Sequence, residues 1–137
     1  MLQLIIRLRP IAKYLLVAAI ILIITVSSLP SLPIPKLETV KGGIRLDYLF
    51  HFIEYVGLSF LAFLTFAGKE FQLRFKKVFY LTISLLAFCI LDEFHQKFIP
   101  GRTFNSNDIS SNVMGVFLGV GFCVVVFRKI SGKLIQL

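Results

Sequence analysis

His51 and Glu54 stand one helical turn apart in an apolar stretch, Asp92-Glu93 closes a second, and Asp108 opens a third. An ionisable side chain at the centre of a membrane helix costs ~2.5–3.5 kcal/mol on insertion scales, so five of them in a chain that is 57% hydrophobic need a reason. Carboxylates and imidazoles in a low-dielectric site can exchange protons or fix a polar ligand. Glu54, Asp92, Glu93 and His51 are therefore the candidate acids and bases. Asp47, Tyr55, Gln96, Arg102, Asp108 and Asn112 extend them into a candidate polar pocket.

The elements that must carry these residues are membrane spans. Mean hydropathy is +0.86, outside the soluble globular range. Four apolar segments, about residues 11–29, 48–67, 76–95 and 109–127, each reach the ~20 residues that a helix needs to cross ~30 Å of hydrocarbon. Sheet does not suit such runs, because backbone groups in lipid must be satisfied within the segment. The expected fold is an all-α integral membrane protein, an antiparallel bundle of four transmembrane helices, with residues 1–137 as a single domain. The first segment has a basic flank like a signal peptide. Its 19-residue length and Ser27-Ser28-Leu29-Pro30 end instead predict a retained span.

Net charge of +8 suggests nucleic acid until the charges are placed on this topology. Ten basic residues (Arg7, Arg9, Lys13, Lys69, Arg74, Lys76, Lys77, Arg128, Lys129 and Lys133) then share the side of the two termini; five lie on the other. The positive-inside rule predicts that both termini are cytoplasmic. The basic excess thus reads as topology and contact with anionic lipid, with the bilayer as partner and no nucleic acid. Cys89 and Cys123 sit at different depths by helix rise, too far apart for a disulfide, and are expected to be packing residues.

In the first outer loop, Pro30, Pro33 and Pro35 favour an extended path, and Gly42-Gly43 allows a turn. In the second, Pro100-Gly101-Arg102 followed by the Asn105-Ser106-Asn107-Asp108 run predicts a turn and a helix start. On the second helix, Asp47, His51 and Tyr55 share one face with Glu54 beside it. On the third, Asp92 and Gln96 are one turn apart next to Glu93; on the fourth, Asp108, Ser111 and Asn112 share the first turn. All of these ends are expected in the outer leaflet, where a bundle core can assemble a ligand site. Arg102 can reach back over them.

Plainer roles compete with this one. Asp108 and Asp47 could simply cap helices. Arg102 could contact headgroups or pair with Asp92 or Glu93. His51 could be a packing residue, His95 and Lys97 could lie at the water interface, and the phenylalanines read as lipid-facing bulk. Gly115 and Gly119 can bring another helix backbone close, within the bundle or in a homodimer. A metal reading lacks the repeated Glu-x-x-His element of carboxylate-bridged bundle sites, so no metal and no cofactor is expected.

The residues that carry the polar pocket also carry a resemblance. They are Asp47-Tyr-Leu-Phe-His51-Phe-Ile-Glu-Tyr55, Asp92-Glu93-Phe-His-Gln96-Lys-Phe, and Pro100-Gly101-Arg102 with Asp108-Ile-Ser-Ser-Asn112-Val-Met-Gly115; Ser27-Ser28-x-Pro30 also fits. Over essentially its whole length the chain resembles the VanZ-like family of small bacterial membrane proteins. Tyr48 stands where a basic residue often follows the first Asp, and Leu29 replaces Gln in Ser-Ser-Gln-Pro. The resemblance implies a multi-pass protein of the bacterial plasma membrane with a cell-envelope role and, in the member that names the family, reduced teicoplanin susceptibility.

Three functions follow as expectations. The first is an outer-leaflet pocket that binds or modifies a lipid-linked or cell-wall component such as a lipid-linked precursor. The second is an intramembrane acid–base enzyme on a lipid, with no nucleophile–base pair that names the reaction. The third, an ion-coupled transporter subunit, suffers from an apolar inner half with no drawable path.

Overall fold

The structure, a computed structural model, describes residues 2–30, 46–67, 74–102 and 104–134. It contains four helices: α1 (Leu2–Ser27), α2 (Leu46–Phe66), α3 (Phe75–Gln96) and α4 (Ser106–Leu134). All four are long and apolar enough to cross a membrane, and there is no strand among the described residues. The proline-rich loop, Gly42-Gly43, Lys69 and Glu70 lie outside the described residues.

Helix ends overrun the apolar segments. α1 begins nine residues before Ile11 and carries Pro10 inside it; α4 runs seven residues beyond Phe127. Hydropathy marks where hydrocarbon ends, whereas a helix can continue into the interface as long as its backbone stays hydrogen-bonded. Much of the surface is apolar, including Tyr14, Val17, Ile21 and Leu22 on α1 and Met114, Phe117, Leu118 and Phe122 on α4. In water such a surface would be a liability; in lipid it is the solvated face.

The core sits between α2 and α4, the most extensively packed pair, and their contacts climb both helices together. A Cβ on Gly115 would stand 2.6 Å from the Phe52 carbonyl oxygen and 3.0 Å from Tyr55 Cβ. A Cβ on Gly119 would stand 2.7 Å from Ser59 Cβ. The small-residue line therefore faces α2, and the close approach it permits is made within the chain. Farther along, the Phe63 and Phe127 rings stack at 5.1 Å with 12° between planes, and Phe60 stacks on Phe127 at 6.4 Å. Phe63 and Phe127 are buried and so depart from the expectation of lipid-facing bulk, whereas others such as Phe50, Phe66, Phe117 and Phe122 are exposed in keeping with it.

α1 packs on α2 through Ala12, Leu16 and Ile23 in the core cluster, and Arg9 Nη2 donates to the Ala67 carbonyl at 3.1 Å at the far end of α2. α3 lies mainly against α4 and touches α1 and α2 sparingly. Cys89 and Cys123 are buried and free, as their depths predict.

Candidate functional site

The polar residues gather where α1 and α3 end and α2 and α4 begin. Adjacent residues on a helix point about 100° apart, so Asp92 and Glu93 serve different neighbours. Asp92 is buried toward α1 and takes hydrogen bonds from Ser27 and, at 3.5 Å, from Gln96 Nε2. Glu93 is 0% exposed and turns to α4, where its Oε1 accepts the Asn105 backbone N–H at 2.8 Å. Asn105 Oδ1 in turn accepts the Asn107 N–H at 3.1 Å, so Asn105 is the N-cap of α4. Asn105 rather than Asp108 thus takes the cap position, while Asp108 stands in the first turn of α4, where a carboxylate complements the helix dipole. Asp108 Oδ2 lies 3.9 Å from His51 Nε2, across the α2–α4 seam.

Arg102 also departs from expectation. It does not pair with Asp92 or Glu93; its nitrogens go to the end of α1. Nη2 donates to the Val26 carbonyl at 2.8 Å, Nε to the Leu29 carbonyl at 3.1 Å, and Nη1 to Gln96 Oε1 at 3.0 Å. The last carbonyls of a helix have no intrahelical donor, and a guanidinium fork supplies several at once. Ser27, Asp92, Gln96, Arg102 and the end of α1 thus form one hydrogen-bonded circuit. His95 adjoins it from the other flank, exposed as expected of an interfacial residue, with its Nε2 3.1 Å from Ser28 Oγ.

Asp47 and Tyr48 sit at the start of α2, where Asp47 Oδ1 accepts the Tyr48 N–H at 3.1 Å and the Tyr48 hydroxyl accepts from Asn107 Nδ2 at 3.2 Å. Glu54 is half-buried, near enough to His51 and Asp92 for their charges to interact. One turn deeper than His51 and Asp108, Tyr55 and Asn112 are both 0% exposed.

Among the described residues, five buried atoms in this region have no hydrogen-bond partner: His51 Nδ1, Tyr55 Oη, Glu93 Oε2 and both side-chain atoms of Asn112. They come from α2, α3 and α4. A buried polar group without a partner costs about 1–3 kcal/mol, so these are the atoms that ordered water or a ligand would satisfy. Among the described residues no three His, Cys, Asp or Glu side chains are arranged to hold a metal ion. A separate groove, lined by Phe66, Lys77, Tyr80, Leu81 and Ser84, opens at the opposite ends of α2 and α3, away from these groups.

Sequence reasoning placed Glu93, His51, Asp108, Tyr55 and Asn112 together, and the structure does bring them together. It missed Asn105 and Ser27 as partners of the two acids. The Asn105–Asp108 run was the available signal for the cap; nothing local to Ser27 announces Asp92. The VanZ/LLP1 family model matches residues 11–128, and the chain belongs to this VanZ-like family. No curated protein and no solved structure matches it.

Proposed function

We propose that this cell-envelope protein binds a lipid-linked or cell-wall component in the polar site between α2, α3 and α4. The four helices alternate in direction in this reading, with both termini cytoplasmic and the site in the outer leaflet of the bacterial plasma membrane. The contact of Arg9 with Ala67, and of Ser28 with His95, supports alternation. The placement of basic residues supports the orientation. The carrying observation is the set of buried atoms on His51, Tyr55, Glu93 and Asn112 that folding leaves without partners.

The test is the lipid and cell-wall precursor profile of a deletion strain, complemented with wild type or with Asn112→Leu, together with teicoplanin susceptibility. A changed precursor pool or susceptibility, restored by wild type and not by Asn112→Leu, supports the reading. Full restoration by an expressed Asn112→Leu chain counts against it.

A second reading, acid–base catalysis on the bound lipid, draws support from one feature. His51 faces Asp108 on one side and offers Nδ1 on the other, with the open Glu93 oxygen on the neighbouring helix. An enzyme predicts that a lipid species accumulates in Glu93→Gln cells; a binder predicts an unaltered set of species.

A further inference from the structure

We propose that the group received by this site is a primary ammonium. The inference rests on the reading of the site as a ligand pocket and specifies what enters it. A ligand must complement the atoms that the fold leaves open, and those atoms are mostly acceptors. Asn112 Oδ1 can only accept, and Glu93 Oε2 accepts whenever its carboxyl group is ionised. His51 Nδ1 accepts in the tautomer whose proton is on Nε2, the nitrogen nearer Asp108, and the Tyr55 hydroxyl can accept as well as donate. An ammonium carries three N–H donors, which match in number the acceptors offered by Glu93, Asn112 and one of His51 or Tyr55. Asn112 Nδ2, the donor of the set, suits an oxygen carried beside the amine.

Charge points the same way. Glu54, Asp92 and Glu93 add carboxyl groups around the one His51–Asp108 pair. Arg102, in the adjoining loop, has Nε, Nη1 and Nη2 hydrogen-bonded to Leu29, Gln96 and Val26, and Lys97 of the same loop is exposed. Among the described residues no Lys or Arg side chain pairs with Glu93. Among the described residues, an anion such as a phosphate would meet these carboxyl groups without a guanidinium or ammonium paired to Glu93. A cation would compensate a buried Glu93 carboxylate, of which only Oε1 is hydrogen-bonded within the fold. The arrangement also lacks the ligand geometry for a metal ion.

The full chain in phosphatidylcholine nanodiscs tests this, with the thermal midpoint read against added ethylammonium, tetramethylammonium and inorganic phosphate. Ethylammonium should raise the midpoint saturably. Tetramethylammonium, equal in charge but without N–H donors, and phosphate should not. Glu93→Gln and Asn112→Leu should each weaken the ethylammonium response at least tenfold in half-saturating concentration, while Lys97→Ala leaves it unchanged. Equal responses to the two cations, a response to phosphate instead, or full responses in both site variants would overturn the proposal. Nanodiscs with phosphatidylethanolamine separate the sources of the amine. Loss of the ethylammonium response there supports a lipid headgroup in the site, and persistence supports an amine borne by a different envelope component. If no amine acts on the protein but the deletion strain still shows an altered precursor pool that Asn112→Leu fails to restore, the ammonium assignment falls and the ligand pocket stands.

Discussion

At one end of the α2–α4 pair, Phe60, Phe63 and Phe127 stack ring on ring, with centroids 5.1 and 6.4 Å from Phe127. At the other end the same two helices present His51 to Asp108 and hold Tyr55 and Asn112 fully buried, with polar atoms unmatched. The aromatic end needs nothing further: dispersion contacts saturate when rings meet. The polar end is held from its periphery, by Arg102 on α1 and by Glu93 on the start of α4, while its centre keeps hydrogen-bonding capacity in reserve. One helix pair is therefore fully packed at one end and leaves polar atoms unmatched at the other, where the proposed ligand would bind.

Breaking the aromatic end should have the largest effect on stability. Phe63→Ala is expected to cost ~3–5 kcal/mol in reversible unfolding, from lost contacts and the cavity left behind, without altering the ligand response of the folded fraction. A changed ligand response at unchanged fold would show that the two ends are not independent.

Next comes the seam that joins them. Gly115→Ala forces a methyl against the Phe52 carbonyl and should destabilise by ~1–3 kcal/mol, whereas Gly121→Ala, with open space around it, should be neutral or slightly stabilising. Similar melting of the two variants would remove the close α2–α4 approach.

A smaller loss is expected from the periphery of the polar end. Arg102→Ala removes three donors from partly solvated acceptors and should lower stability by about 1–2 kcal/mol, more than Lys97→Ala in the same loop. Adding Asp92→Asn should not rescue it, because Arg102 serves α1 and Gln96, not the acids. Rescue would restore the ion pair that the sequence suggested.

The smallest stability change carries the sharpest contrast. Asn112→Leu replaces an unmatched buried amide by an apolar group and should raise stability by about 1 kcal/mol while abolishing complementation of the deletion strain. A destabilised Asn112→Leu protein would mean that the amide is satisfied in the membrane and belongs to the fold.

The number and length of the helices were legible because lipid allows few other solutions for runs such as 109–127. The polar convergence was legible because i, i+4 spacing fixes which side chains share a face, as for His51 and Tyr55. The choice of partners was not. Arg102 lies close in sequence to Asp92 and Glu93, yet its acceptors are Val26 and Leu29, which become available only because α1 stops beside it. Likewise, nothing in composition distinguishes buried Phe63 from exposed Phe66; the approach of α4, permitted by Gly115 and Gly119, decides which ring is covered.

The Arg102 clamp also dates the assembly of the protein during its synthesis. Val26 and Arg102 are 76 residues apart, so at ~5–20 residues per second the end of α1 waits about 4–15 s after its own emergence for its guanidinium. Until then the first helix has open carbonyls at one tip, and the acids of α3 have only part of their partners. The polar end is thus among the last regions to mature, and a ribosome stalled just before Arg102 would hold a chain whose first helix is inserted but not fastened.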